Sequence, residues 1–152
     1  MFWTAHTAIS LAISPALPHP LIGFAIGYLS HFIADAIPHG DEALFDRYPA
    51  DKKIAAYTKV ALIDSCITLG LIGSLFYFTP HTITDIALAT ILGSLTPDWL
   101  SGLYILKPVR WLRWNHTLNE WAHRVFFKNP TTVRVGFSIQ ALTVALALLL
   151  IF

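Results

Sequence analysis

The sequence is poor in charge. Only 12% of its 152 residues are Asp, Glu, Lys or Arg, whereas soluble domains carry about 25%. Hydrophobic residues make up 55% of the chain, and its mean hydropathy is +0.60. The basic residues are too few and too segregated to form a nucleic-acid surface. We therefore predict an all-α integral membrane protein.

Cysteine is almost absent, since Cys66 is the single one and lies in an apolar run. One thiol excludes an intrachain disulfide framework and a zinc site built from cysteines. Any metal site must therefore use His, Asp or Glu. Lys and Arg are also missing ahead of the first apolar stretch, so we predict no cleavable signal peptide.

Long apolar runs are present, and they predict about five hydrophobic helices in a single membrane-embedded domain of residues 1–152. The predicted segments are 2–13, which is shorter than a bilayer core, and 20–38, 60–78, 82–106 and 133–152. Residues 108–128 interleave Arg and Lys with Trp and Phe, which indicates an amphipathic helix lying at the membrane interface. Pro97 is expected to kink or interrupt the fourth hydrophobic helix.

The basic residues predict the orientation, because cytoplasmic loops are enriched in Lys and Arg. These residues lie between positions 47 and 59 and between positions 107 and 134, while the turns at 14–19 and 79–82 have none. We therefore expect a multi-pass membrane protein. Its N-terminus and both basic segments would lie in the cytoplasm, and its C-terminus would lie outside.

One stretch, residues 27–41, carries an imidazole and a carboxylate in an apolar helix. His31 and Asp35 are four residues apart and so share one helix face, and His39 follows about one turn later. Burying such groups costs free energy unless they are paired or bound to something. The alternative to a functional site is a hydrogen-bonded pair that fixes helix packing.

With this topology, ionisable groups from several segments share one depth, in the cytoplasmic half of the membrane. Such a convergence supplies the nitrogen and oxygen ligands that a divalent metal requires. The predicted metal ligands are His6, His31, Asp35, His39, Asp98, His116 and His123. The predicted catalytic carboxylates, acting as a general base or orienting a ligand histidine, are Asp64 and Glu120.

Four short motifs resemble known families. Residues 27–35, Gly-Tyr-Leu-Ser-His-Phe-Ile-Ala-Asp, are similar to a helix motif of the zinc-dependent phospholipase C and P1 nuclease group, and to a bacterial family of membrane-bound metal-dependent hydrolases. Residues 4–9, residues 93–98 and the pair His116 and Glu120 resemble further elements of these families. Here the Pro-Asp element follows the helix motif, whereas in the membrane family it usually precedes it. The resemblance implies zinc as the metal, phosphodiester hydrolysis as the reaction and a location in the bacterial inner membrane.

Together these patterns predict a metal-dependent hydrolase at the cytoplasmic interface, acting on a phosphoester of a lipid or another amphiphile. The expected partners are membrane lipid and a small-molecule or lipid substrate, with the oligomeric state left open. Two alternatives also stay open: an ion or proton relay, and a scaffold that keeps a structural metal. A relay needs polar groups through the full membrane thickness, whereas the outer half offers only His81 and Asp85.

Overall fold

The computed structural model describes residues 1–125 and 131–152. These residues contain no strand, and 84% of them are helical, so the all-α prediction is confirmed. The helices, numbered in chain order, are α1 (Trp3–Ile13), α2 (Pro20–Asp35), α3 (Asp41–Phe45), α4 (Ala50–Phe78), α5 (Asp85–Leu106), α6 (Arg113–Arg124) and α7 (Val133–Ile151). Short 3-10 turns occupy Ser14–Ala16, Pro80–Thr82 and Arg110–Leu112.

Three of the described helices, α4, α5 and α7, are long and apolar enough to cross a membrane. Their outer faces carry large apolar side chains, among them Leu69, Phe76 and Leu149, which are 68%, 64% and 74% exposed. By contrast, α1 and α2 have 11 and 16 residues, or about 16 and 24 Å at about 1.5 Å per residue. The described part of the chain therefore offers three such helices, fewer than the five predicted.

The shortest of the predicted spans, α1, is a core helix. It contacts α2, α4, α5 and α7, and small residues such as Ala5, Ala8 and Ser10 are buried along it. Leu11 packs in one cluster with Leu75 and other apolar residues of α4 and α5. A helix of this length is too short to cross the bilayer. Its apolar side chains are therefore buried against the longer neighbouring helices.

The closest helix contact joins α2 to α5 through Gly27 and Gly93. A Cβ atom at either glycine would collide with the backbone of the other helix. Small residues permit this approach, which is a common way for apolar helices to associate. As a consequence His31, one turn beyond Gly27, lies directly against Ser94, one residue beyond Gly93.

The start of one helix and the predicted break in another differ from the structure. The helix predicted for 60–78 begins ten residues earlier, at Ala50, and Asp51 in its first turn is favoured by the helix dipole. Pro97 does not interrupt its helix, because α5 continues through it to Leu106.

The amphipathic segment predicted for 108–128 forms a 3-10 turn followed by α6, and its residues 126–128 lie outside the described residues. Trp111, Trp114 and Trp121 are 66%, 56% and 58% exposed. The opposite side of α6 buries Asn115, Asn119 and Ala122 and packs on α2 and α5. The helix is therefore amphipathic, with an aromatic outer face and a polar inner one.

Candidate metal centre

Asp35, the last residue of α2, is the point at which imidazoles from three helices meet. Its Oδ1 lies 3.2 Å from Nε2 of His6 in α1. Its Oδ2 lies 3.1 Å from Nε2 of His31 and 3.4 Å from Nε2 of His123 in α6. Asp35, His6 and His31 are fully buried, whereas the side chain of His123 is 16% exposed.

These residues belong to two adjacent groups, each of which could hold a metal ion. The first group is His6, His31 and Asp98, and the second is Asp35, His39 and His123; within each group the ligand atoms lie within 4.8 Å of one another. Asp35 joins the groups through its contacts with His6 and His31. Six of the seven predicted metal ligands therefore come together at one end of the helix bundle.

Two of the histidines are held in a single tautomer by backbone carbonyls. Nδ1 of His31 lies 2.8 Å from the carbonyl oxygen of Ser94, and Nδ1 of His39 lies 2.7 Å from that of Ile37. A carbonyl oxygen only accepts, so Nδ1–H donates in both rings. Histidines that bind metals are usually oriented in this way, with the other nitrogen left as the ligand.

Three buried atoms of the two groups have no hydrogen-bond partner among the described residues: Nε2 of His6, Oδ2 of Asp35 and Nδ1 of His123. A buried polar atom left in this state costs about 1–3 kcal/mol. Nε2 of His6 and Oδ2 of Asp35 lie at the centre of the site, 3.2 Å from Oδ1 of Asp35 and 3.1 Å from Nε2 of His31 respectively. Coordination of a divalent cation would satisfy these two atoms, so the residues present fit a metal.

The amino group of Met1 also reaches the site, 2.5 Å from Oδ1 of Asp35 and 3.4 Å from Oδ2 of Asp41. Burial lowers the pKa of this amino group, but the carboxylates of Asp35, Asp41 and Asp98 outweigh burial and raise the pKa to about 10. Burial and the positive charge of Met1 lower the pKa of His39 to about 2. His39 is therefore neutral, which is the form that ligates a metal.

Gln140 of α7 ties the loop that carries His39 to the bundle. Its Nε2 donates to the carbonyl oxygen of His39 and to Oδ1 of Asp41, each at 2.9 Å. Its Oε1 accepts from the backbone N–H of Phe2 at 2.8 Å. A buried glutamine thus fixes both the loop after α2 and the start of α1 around the site.

Asp98 lies inside α5 and is not a helix cap, the structural alternative for an Asp after Pro. Its Oδ2 accepts from Nε1 of Trp3 at 3.1 Å, and its Oδ1 accepts from Nδ2 of Asn119 at 3.2 Å. Oδ1 also lies 3.7 Å from Nε2 of His31, and the side chain is 23% exposed. Asp98 and His123 are the two members of the groups through which solvent reaches the site.

Three predicted site residues lie outside both groups. Asp64 accepts from the backbone N–H of Trp3 at 2.5 Å and from the hydroxyl of Thr4 at 2.5 Å, and so caps the start of α1 from α4. Glu120 is exposed and accepts from Arg124 at 3.0 Å. His116 stacks on Tyr104, with ring centroids 4.8 Å apart.

The placement of His116 and Glu120 follows from the geometry of α6. The inner face carries Asn115 and Asn119, four residues apart, and one residue corresponds to about 100° of rotation, enough to turn Glu120 away from this face. His116 lies on nearly the same face as His123, seven residues later, but about two turns nearer the start of the helix, so it does not reach Asp35. Two asparagines at helical spacing were the signal for the inner face, and Asn119 is a site residue that the ionisable pattern did not include.

No protein-family model, no curated protein and no solved structure matches this chain.

Proposed function

We propose that the protein is a metal-dependent hydrolase of the bacterial inner membrane, acting at the cytoplasmic interface on a phosphoester of a lipid or another amphiphile. The observation that carries the proposal is the position of Asp35. Its buried carboxylate lies within 3.4 Å of three imidazole nitrogens from three helices. A structural hydrogen-bonded pair needs one histidine, whereas this arrangement gathers imidazoles from three helices around one buried carboxylate.

The proposed chemistry assigns each residue a definite task. A divalent cation, zinc in this proposal, supplies Lewis-acid activation of water and of the phosphoryl group when bound. His6, His31 and Asp98 would hold one ion, and Asp35, His39 and His123 would hold a second or would orient the first set. Ser94 and Ile37 keep the ring nitrogens of His31 and His39 available by accepting the proton on the opposite side.

Access to the site supports an amphiphilic substrate. The solvent-reachable members, Asp98 and His123, lie on α5 and α6, and the outer face of α6 carries exposed tryptophans. Tryptophan and arginine side chains favour the headgroup region of a bilayer. Arg110 and Arg113 at the start of this segment would attract the phosphate of a headgroup. Neither Asp64 nor Glu120 is given the role of proton acceptor, since both are bonded elsewhere.

The first test is metal analysis of the detergent-purified protein, followed by assays with phosphodiester and phosphomonoester substrates, both water-soluble and lipid. We expect a bound divalent metal, and we expect His31→Ala and Asp35→Ala to lose both metal and turnover. Matched controls are His19→Ala, an exposed histidine at the other end of α2, and Asp46→Ala, an exposed aspartate paired with Lys53.

The outcomes separate the rival functions. Absence of metal under every loading condition would refute the hydrolase proposal. Bound metal with no turnover on any substrate would instead favour a scaffold that keeps a structural metal. Turnover that survives Asp35→Ala would place the active site elsewhere in the chain.

A further inference from the structure

We infer that Trp3 is the positioning residue of Asp98: its indole N–H holds one carboxylate oxygen so that the other oxygen faces His31. The inference rests on the proposed metal site and adds to it a side chain that does not itself bind the metal. Trp3 is the first residue of α1, whereas Asp98 lies in α5. The bond between them therefore ties the orientation of a candidate ligand to the placement of a different helix.

Asp98 is the member of its group that burial fixes least. His6 and His31 are 1% and 0% exposed, whereas the side chain of Asp98 is 23% exposed. Close packing holds a buried ring in place, but the Cβ–Cγ torsion of an aspartate has broad energy wells. A carboxylate in contact with water therefore keeps one orientation only when hydrogen-bond donors hold it.

Two donors hold the carboxylate of Asp98, and each bonds a different oxygen. Nε1 of Trp3 donates to Oδ2 at 3.1 Å, and Nδ2 of Asn119 donates to Oδ1 at 3.2 Å. Oδ1 is also the oxygen that lies 3.7 Å from Nε2 of His31. A carboxylate oxygen accepts more than one partner, so Oδ1 remains able to bind an ion. The indole thus fixes Oδ2 on the side of α1 and leaves Oδ1 facing His31.

Trp3 is itself held firmly enough to orient another side chain. Its backbone N–H donates to Oδ2 of Asp64 in α4 at 2.5 Å. Its ring packs against the buried cluster that contains Leu11 and meets the ring of Trp99 edge-on, with centroids 6.1 Å apart and planes at 82°. A donor on a fixed ring restricts its acceptor, whereas a donor on a flexible side chain would follow the acceptor. The bond therefore constrains Asp98.

The alternative is that the bond serves only the packing of Trp3, because a buried indole N–H generally needs an acceptor. Trp3 is half-buried, and the other four tryptophans are exposed. The acceptor of Trp3, however, is a carboxylate of a candidate ligand group, and carboxylates that bind metals are themselves usually hydrogen-bonded. The two roles differ in what they affect: a packing role changes stability alone, whereas a positioning role also changes the bound metal.

The experiment is a titration of the full-length, metal-stripped protein in detergent with Co²⁺, read by visible absorption. Trp3→Phe keeps an aromatic ring and removes the N–H donor. We expect it to weaken Co²⁺ binding about ten- to hundredfold and to shift the d–d bands, since Asp98 loses its fixed orientation. Trp99→Phe is the matched control, because it alters the other ring of the pair and leaves the bond to Asp98 in place. Its affinity and bands should equal those of the wild type.

A double-mutant cycle separates positioning of Asp98 from a general effect on packing. If Trp3 acts through Asp98, Trp3→Phe should weaken Co²⁺ binding in the wild-type background and should have no further effect on affinity in an Asp98→Ala background. An equal fold-loss of affinity in both backgrounds would overturn the inference, since the indole would then act on the site without Asp98.

The remaining outcomes are also decisive. Wild-type affinity and bands in Trp3→Phe would overturn the inference and leave Trp3 as a packing residue. If Trp3→Phe does not fold, the indole ¹⁵N–H signal of Trp3 decides, observed in a protein whose four exposed tryptophans are replaced by phenylalanine. That signal should move when Zn²⁺ is added, and an unmoved signal in the metal-bound protein would overturn the inference alone. Failure of the wild-type protein to bind either ion would instead refute the metal site, and with it the proposed function.

Discussion

His31 of α2 donates its Nδ1–H to the carbonyl oxygen of Ser94 of α5 at 2.8 Å. The bond joins the two helices that approach most closely and fixes the ring that faces Asp35. The short distance between these atoms is possible because Gly27 and Gly93, about one turn away, let the two helices approach closely. Helix packing and the orientation of this histidine are therefore coupled, and a change in the packing should be detected at the proposed metal site.

The glycine contact provides the first prediction. Gly27→Ala places a Cβ atom against the backbone of α5, so we expect a loss of about 1–3 kcal/mol from overpacking together with weaker metal binding. Thermal unfolding in detergent and metal titration measure the two effects. Gly70→Ala is the control, because nothing lies within 4 Å of a Cβ atom at that position in α4. Equal behaviour of both variants would contradict the coupling.

Removal of metal gives the second prediction. A ligand that binds only the folded state stabilises it by about 2.7 kcal/mol at a free concentration 100 times its Kd. Treatment with a chelator should therefore lower the midpoint of thermal unfolding, and added Zn²⁺ should restore it. Asp35→Asn, which removes a charged ligand, should show no response to either treatment. A chelator effect of equal size in that variant would show that the metal binds elsewhere.

The two histidines of α6, of which only His123 belongs to a ligand group, give the third prediction. His123→Ala removes a ring whose Nε2 lies 3.4 Å from Asp35, and we expect metal affinity to fall at least about tenfold. His116→Ala removes a ring stacked on Tyr104 and should lower stability without changing affinity. Isothermal titration with Zn²⁺ distinguishes the two. The reverse ranking would restore His116 as the ligand expected from the sequence.

Asp64 gives the fourth prediction. Its carboxylate accepts from the first backbone N–H groups of α1, the task that a helix-capping residue performs. Asp64→Ala should cost about 0.5–2 kcal/mol, as loss of a cap does, while the purified protein keeps its metal. A fall in turnover with unchanged stability would instead support the role of general base.

Orientation in the membrane gives the fifth prediction. In a Cys66→Ser background, single cysteines at Ala50 and Pro108 should react with an impermeant maleimide only when the cytoplasmic face is open, as in inverted vesicles. A cysteine at His81, in the turn between α4 and α5, should react from the opposite side. This follows from the distribution of basic residues. Labelling of position 50 or 108 in intact cells would reverse the proposed orientation.

Much of the helical architecture could be predicted from the sequence, since apolar runs bounded by Pro, Gly and polar residues limit where helices begin and end. The ends of α5 and α7 lie within three residues of the predicted segments. The start of α4 was missed because Asp51, Lys52 and Lys53 are compatible with either a loop or an exposed helical turn. Composition cannot distinguish these two states, since both leave charged side chains in water.

Which side chains meet at the candidate site could be predicted from the sequence only in part. His31 and Asp35 share a face because a helix repeats every 3.6 residues, and this relationship is present in the sequence itself. In contrast, whether Asn119 or Glu120 lies on the inner face of α6 depends on how this helix is rotated against α5. That rotation is set by packing between residues distant in sequence, such as Asn115 against Pro97 and Tyr28.

By itself, therefore, the sequence determined a helical, apolar chain and a set of histidines and aspartates spaced for one helix face, because these follow from composition and helical period. Only the tertiary structure decided which of them meet. The close α2–α5 contact at Gly27 and Gly93, the burial of α1 and the packing of α6 brought His6 and His123 to Asp35 and Asn119 to His31. The same packing left Asp64 and His116 outside both groups. Such choices depend on long-range packing, in which each helix is positioned by neighbours far away in the chain.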